Sequence, residues 1–282
     1  MAYEIGTASG HYDLLDKLRT FLETTLPAAE RWVVQRSDMI SANREVIWKA
    51  PGLSTNDPLY VGISTYQDVS TDYYNWKING FSGYTSSNTF DTQPGAIASS
   101  GKSIALWNQS IPYWFVGNGQ RCIVFVKINN ANYMSLYLGK YFPYATPTQF
   151  PYPLAVGAMF NGQSATRYSV AMTSWFKNNL AIRYIDGNWR TPQLFPYSDS
   201  TTYRNTGATN ADATGYYGLH PITISENNTG YVNVYGELDG LYYISGFNNA
   251  PENTIVVGGV TYVVFKDNVA TGLKDYVALK LA

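Results

Sequence analysis

Between Leu106 and Gly157 the chain carries its densest apolar and aromatic material, together with its one cysteine, Cys122. Tyr113–Val116 and Cys122–Ile128 flank Gly117-Asn118-Gly119, residues that tolerate positive φ and permit a tight reversal. Asn129-Asn130-Ala131-Asn132 is a second turn signal, and Tyr133–Leu138 a third strand-like run. The spacing predicts a three-strand antiparallel meander. Ile123-Val124-Phe125-Val126 is too continuously apolar for a half-exposed strand, which places it centrally in a sheet. In that setting Cys122 reads as a small buried hydrophobe with no internal disulfide partner.

Four prolines punctuate the segment from Phe142 to Pro153 that follows. Proline fixes φ and removes a donor, so neither a helix nor a central strand fits there. The expectation is an extended aromatic-proline arm, either laid over the molecule's own core or offered to a neighbour. Its rings, Phe142, Tyr144, Phe150 and Tyr152, are the candidate interface residues, because aromatic rings with polar tips are enriched at interface centres.

At 282 residues the chain exceeds one simple core, which predicts one large or two closely associated β domains. Divided, it falls into residues 1–157, a helix plus a β domain, and residues 158–282, a second β domain. Charged residues are only 14% of the sequence, well under the usual share, while tyrosine alone accounts for 25 residues. That composition suits surfaces that work through amphipathic rings and neutral hydrogen bonds, and equally suits half-buried sheets. With 19 basic and 20 acidic residues and no long run of either, nothing pulls on a phosphate backbone. Nucleic acid is not an expected partner. The opening MAYEIGTASGHYDLL has neither a basic nor an apolar leader pattern, and no apolar run approaches a bilayer span, so no membrane insertion is expected.

One segment carries helical periodicity. Leu14, Leu15, Leu18, Phe21 and Leu22 recur at helical spacing, with Ser9 as a cap, Asp13 at the positive end and Pro27 as the stop. An amphipathic helix that opens a β protein is expected to cover a sheet face. Beyond it, short strands alternate with turns every ten or so residues: Trp32–Arg36, Glu45–Lys49, Leu59–Ser64 and Tyr73–Phe81, then a Ser/Thr/Asn/Gly-rich loop over Gly83–Gly101. In Tyr73–Phe81 the alternation puts Tyr74, Trp76 and Ile78 on one face, and Asn75, Lys77 and Asn79 on the other. Further on, Tyr168–Thr173 and Leu180–Ile185 precede a turn at Asp186-Gly187 with Asn188–Arg190 returning, and Phe195–Tyr216 reads as a long exposed loop. Tyr231–Tyr235 and Leu241–Ile244 read as a hairpin about Gly236–Gly240, Thr254–Val257 and Val260–Phe265 as one about Gly258-Gly259, and Asp275–Leu281 as a closing strand. The expected class is mainly β, as antiparallel sandwich- or barrel-like sheets with one N-terminal helix.

Catalytic and metal-binding patterns are sparse. The two histidines, His11 and His220, lie in no metal-ligand spacing, and they read as turn residues. Gly95–Ser103 resembles a phosphate loop, but five residues separate its glycines where the motif needs four. Asn210–Gly215 matches the first half of a calcium loop, with Pro221 where the closing glutamate belongs. Asn108-Gln109-Ser110 and Asn227-Asn228-Thr229 match glycosylation acceptors, which matter only in a secreted protein. Glu237 and Asp239 are spaced to shape a Gly-bounded turn rather than to act as an acid–base pair. No catalytic residue, cofactor or metal site is expected.

Several segments resemble virion structural proteins of tailed bacteriophages. The closing runs Gly236–Ala250, Glu252–Ile255, Gly258–Tyr262 and Asp275–Lys280 carry the resemblance, as do Gly10–Leu15, Leu18–Phe21, Asp72–Trp76, Gly80-Phe81 and Pro143–Pro153. The resemblance implies a non-enzymatic subunit of the tail or baseplate region, located in the virion and assembled in the host cytoplasm. Its implied partners are other virion structural proteins and further copies of itself. A receptor- or glycan-binding module of a tail fibre or spike, reaching a host-surface glycan, is the alternative. A cell-wall polymer hydrolase is the third reading.

Overall fold

The structure is a computed structural model that describes residues 1–52, 58–99, 101–129, 132–144, 154–163, 165–169, 179–184, 186–197, 218–266, 273 and 275–281. Strands hold 54% of these residues and helical turns 9%. The chain opens with β1 (Ala2–Ala8) and α1 (His11–Thr20), whose last turn widens into a π-turn over Phe21–Thr25. There follow β2 (Val33–Asp38), β3 (Glu45–Ala50), β4 (Leu59–Asp68), β5 (Tyr73–Phe81) and β6 (Lys102–Leu106). The meander is β7 (Ile111–Gly117), β8 (Arg121–Ile128) and β9 (Asn132–Lys140). Short strands come next: β10 (Phe142–Pro143), β11 (Leu154–Gly157), β12 (Phe160–Asn161), β13 (Ala181–Arg183), β14 (Trp189–Arg190) and β15 (Gln193–Phe195). The chain closes with β16 (His220–Asn228), β17 (Tyr231–Ile244), β18 (Thr254–Val257), β19 (Val260–Lys266) and β20 (Tyr276–Lys280).

These strands make three antiparallel sheets, ordered β1-β7-β8-β9-β11-β13-β14, β12-β6-β5-β4-β3-β2 and β15-β16-β17-β20-β19-β18, with β10 beside β17. The first sheet is the middle layer, and the meander is its centre. Because alternate side chains of a strand point to opposite faces, β8 splits its apolar run between two neighbours. Phe125 stacks on Phe265 of the third sheet at 4.2 Å, while Phe115, on the opposite face of β7, meets Phe21 at 5.9 Å. Cys122 is fully buried, and burial pushes its thiol pKa well up, as expected of an inert core residue.

The helix covers sheet, as its periodicity predicts: Leu14, Leu15, Leu18, Phe21 and Leu22 are all fully buried. It lies between the first two sheets, with Trp48 Nε1 donating to Glu23 at 2.9 Å and Trp76 Nε1 to the His11 carbonyl at 3.1 Å. Its cap differs from expectation. Gly10 is the N-cap, and Ser9 donates from its amide at 2.8 Å and its hydroxyl at 3.2 Å to the Asp13 carboxylate. The carboxylate reaches back over the first turn, so the Ser9 oxygen gives its proton instead of accepting one.

Three further features are absent from the sequence reading or differ from it. The polar face of β5 is not at the surface: Asn75 and Asn79 are fully buried and Lys77 nearly so. The loop after β5 folds over it, with Lys77 Nζ 2.7 Å from Asp91 and Ile97 N donating to Asn79 Oδ1 at 2.9 Å. The expected hairpin about Gly236–Gly240 is instead one fourteen-residue strand, β17. Gly236 provides the room for β10, since a Cβ there would collide with the Phe142 carbonyl; Gly240, at φ 92°, bends the strand without turning it back. Finally, there are three sheets where two assemblies meeting near Gly157 were expected. β11, which ends at Gly157, belongs to the first sheet, β12 to the second, and β13 and β14 to the first again; from Gln193 onward the strands belong to the third. Residues 170–173 of the expected Tyr168–Thr173 strand, and residues 198–216 of the expected long loop, lie outside the described residues. So do Phe150 and Tyr152.

Candidate functional site

The candidate interface residues Phe142 and Tyr144 lie on the third sheet. β10 pairs with β17 so that Phe142 stands opposite Glu237 and Pro143 opposite Gly236, and the Tyr144 amide continues the ladder to the Tyr235 carbonyl at 3.0 Å. The start of the aromatic-proline arm is therefore laid on this chain's own sheet. Its rings are not. Phe142 is 50% and Tyr144 54% exposed, with ring centroids 6.4 Å apart in a T-shaped arrangement.

Register extends this pair into a row. Phe195 of β15 pairs with Thr223 of β16, Thr223 with Glu237 of β17, and Glu237 with Phe142. Directly paired residues share a face, so these four side chains point away from the core that receives Leu194, Ile222, Ile224 and Leu238. At the centre, the Tyr144 hydroxyl donates to Glu237 Oε2 at 3.0 Å, which holds the ring upright. Burial, then this carboxylate, raises the Tyr144 pKa. Val232 and Val234 of β17 are also exposed, at 57% and 51%. The result is a largely uncharged platform of aromatic and branched aliphatic side chains with one carboxylate at its centre.

Of these residues, the sequence pattern points to Phe142 and Tyr144 and not to the others. Phe195, expected in an exposed loop, is an exposed residue of β15. Glu237 and Asp239, expected to shape a turn, both lie within β17. They do not share a site: Glu237 accepts from Tyr144, while Asp239 forms an ion pair with Arg121 of β8. The signal for the platform is in the sequence only once the register of four strands is known.

Four other titratable groups are buried or half-buried in the fold. His11 is fully buried beside Tyr12 and Tyr74, at ring-centroid distances of 4.0 and 5.3 Å. Burial, then the positive charge of Arg44, pushes its pKa down to about 4, against the raising pull of Gln67. His220 opens β16 against Tyr243, and burial lowers its pKa too. Lys102 and Lys140 are buried, and burial pushes each down to about 8. Among the described residues no three His, Cys, Asp or Glu side chains are grouped to hold a metal ion, and no helix is long and apolar enough to cross a membrane. No family model and no curated protein matches this chain.

Proposed function

We propose that the chain is a non-enzymatic structural subunit of a tailed-phage particle, in the tail or baseplate region, acting through protein–protein interfaces. The observation that carries this reading is the exposed Phe142–Tyr144 pair, fixed by backbone pairing below and by the Glu237 carboxylate at its side. Rings ordered before contact lose little entropy when a neighbour covers them, and they bury large apolar area while the hydroxyl keeps a partner. The resemblance of the closing segments to virion proteins supports the same reading. Other virion proteins and further copies of the chain are the proposed partners, with the assembled virion as its place.

A second reading, a glycan-binding module, draws on the same platform, where a ring face stands beside a carboxylate and the Thr223 hydroxyl. The double variant Phe142→Ser, Tyr144→Ser separates the two. Both rings are exposed, so its melting temperature should match the wild type. It should nevertheless fail to enter particles when it replaces the wild-type subunit during assembly. Normal incorporation at wild-type stoichiometry, or a variant that unfolds by itself, removes the contact reading. Loss of binding to isolated cell surfaces, with incorporation intact, supports the glycan module instead.

A further inference from the structure

The described sheets end in six edge strands, and all but one are poorly suited to pairing with another chain. An edge presents unpaired N–H and C=O groups, so proteins shorten it, bulge it or charge it. β12 and β14 have two residues each, β15 has three and β18 four. β2 is interrupted by a register shift between Val34 and Arg36 and carries Arg36 and Asp38. β1 is neither short nor bulged, and its one charge, Glu4, is tied to the Tyr113 hydroxyl. Its seven residues pair with β7 without a break from Ala2↔Gly117 to Ala8↔Ile111, and its other edge pairs with no described strand.

The exposed side chains of β1, Tyr3, Ile5 and Thr7, carry no charge. Ile5 stands opposite Trp114, on the face that packs against Phe265 of the third sheet. The third sheet does not cover β1 itself: Tyr3 and Ile5 are 49% and 51% exposed. The strand's one charge, Glu4, points to the other face, where it accepts from the Tyr113 hydroxyl at 2.7 Å.

We infer that β1 pairs antiparallel with β1 of a second copy, on a twofold axis through Ile5. The register follows from elimination. A twofold perpendicular to the sheet keeps exposed side chains on one face only if it passes through a residue rather than between two. Centred on Glu4, it sets two carboxylates directly opposite, which is repulsive. Centred on Gly6, it leaves Ala2 and Tyr3 without partners inside the strand. Centred on Ile5, it uses all seven residues: Ala2 meets Ala8, Tyr3 meets Thr7, Glu4 meets Gly6 and Ile5 meets Ile5. Large side chains then face small or β-branched ones, and no like charges meet. The first sheet continues through the axis into its copy, an isologous contact of the kind that closes a dimer.

This pairing goes beyond the assembly reading and fails or stands separately from it. An edge of seven residues buries less than a standard interface of roughly 1,600 Å², so the association is weak. Sedimentation velocity at concentrations of about 10 to 200 µM should show a monomer–dimer equilibrium for the wild type. Ile5→Lys sets two ammonium groups opposite each other at an exposed position. It should sediment as a monomer across that range, with unchanged far-UV circular dichroism and melting temperature. Ile5→Cys tests the register itself: mild oxidation should give a covalent dimer, since opposed residues of an antiparallel pair lie within disulfide reach and Cys122 is buried. A wild type that stays monomeric, an Ile5→Lys variant that still dimerises, or an Ile5→Cys variant that does not cross-link overturns the proposal. A monomeric chain that still enters particles overturns the strand pairing and leaves the assembly reading standing.

Discussion

His11 shows how one residue couples this fold to pH. Its folded-state pKa, about 4, lies below the usual 6.5, so the fold favours the neutral ring. A depressed pKa gives stability that is fully present above about pH 6.5 and is lost as pH falls towards 4. The gap of about 2.5 units corresponds to roughly 3 kcal/mol at the acid end of that window. Urea denaturation from pH 7 to 4 should therefore show wild-type stability falling by up to about that amount more than His11→Gln. Parallel curves for the two proteins would assign the acid sensitivity elsewhere. The positive charge of Arg44, whose guanidinium is held over Tyr12 at 4.2 Å and paired with Asp16 of α1 at 2.9 Å, adds to the cost of charging His11.

At the scale of elements, α1 is the part whose role can be measured most directly. Leu18 is fully buried between sheets, so Leu18→Ala should cost about 2–5 kcal/mol in denaturant unfolding, the range for a buried leucine that leaves a cavity. A cost under about 1 kcal/mol would mean that the helix sits on the sheets without packing into them. The helix and the meander were legible in the sequence because each has a strong local signal: leucines at helical spacing, and apolar runs bounded by turn residues. β1 was not, since Ala2–Ala8 contains only two large apolar residues and draws its order from β7, more than a hundred residues away. β17 was misread for the opposite reason. Its glycines are turn formers by composition, and only the approach of β10 shows that Gly236 makes room for a neighbour. The burial of Asn75 and Asn79 was likewise hidden, because alternation tells which residues share a face and not what later folds over it.

For the whole molecule, the seams between sheets depend on a few polar clamps. Arg121 of the first sheet pairs with Asp239 of the third, donates from Nε to the Lys140 carbonyl at 3.1 Å and from Nη2 to Gln120 at 2.8 Å. The arginine side chain is only 4% exposed, whereas that of Asp239 is 32% exposed. Asp239→Asn leaves a buried cation without its counter-charge and should cost roughly 2–3 kcal/mol, less than a fully buried pair because water reaches the carboxylate. Equilibrium unfolding in urea measures it, and a change below about 0.5 kcal/mol would show that solvent already screens the clamp. A similar seam joins Lys127 to Glu252 at 2.6 Å. Between these clamps, Phe265 inserts against Trp114, Phe125 and Tyr133, at centroid distances of 5.0, 4.2 and 5.7 Å.

That arrangement sets the timing of folding. The meander is complete once Lys140 has been synthesised, yet the ring that covers it arrives more than a hundred residues later. During translation at about 5–20 residues per second, the apolar face of β7, β8 and β9 stays bare for several seconds or longer. Such late, long-range closure is slow and leaves sticky surface open to other nascent chains, so strands that are buried in the finished molecule lie bare while it is being made.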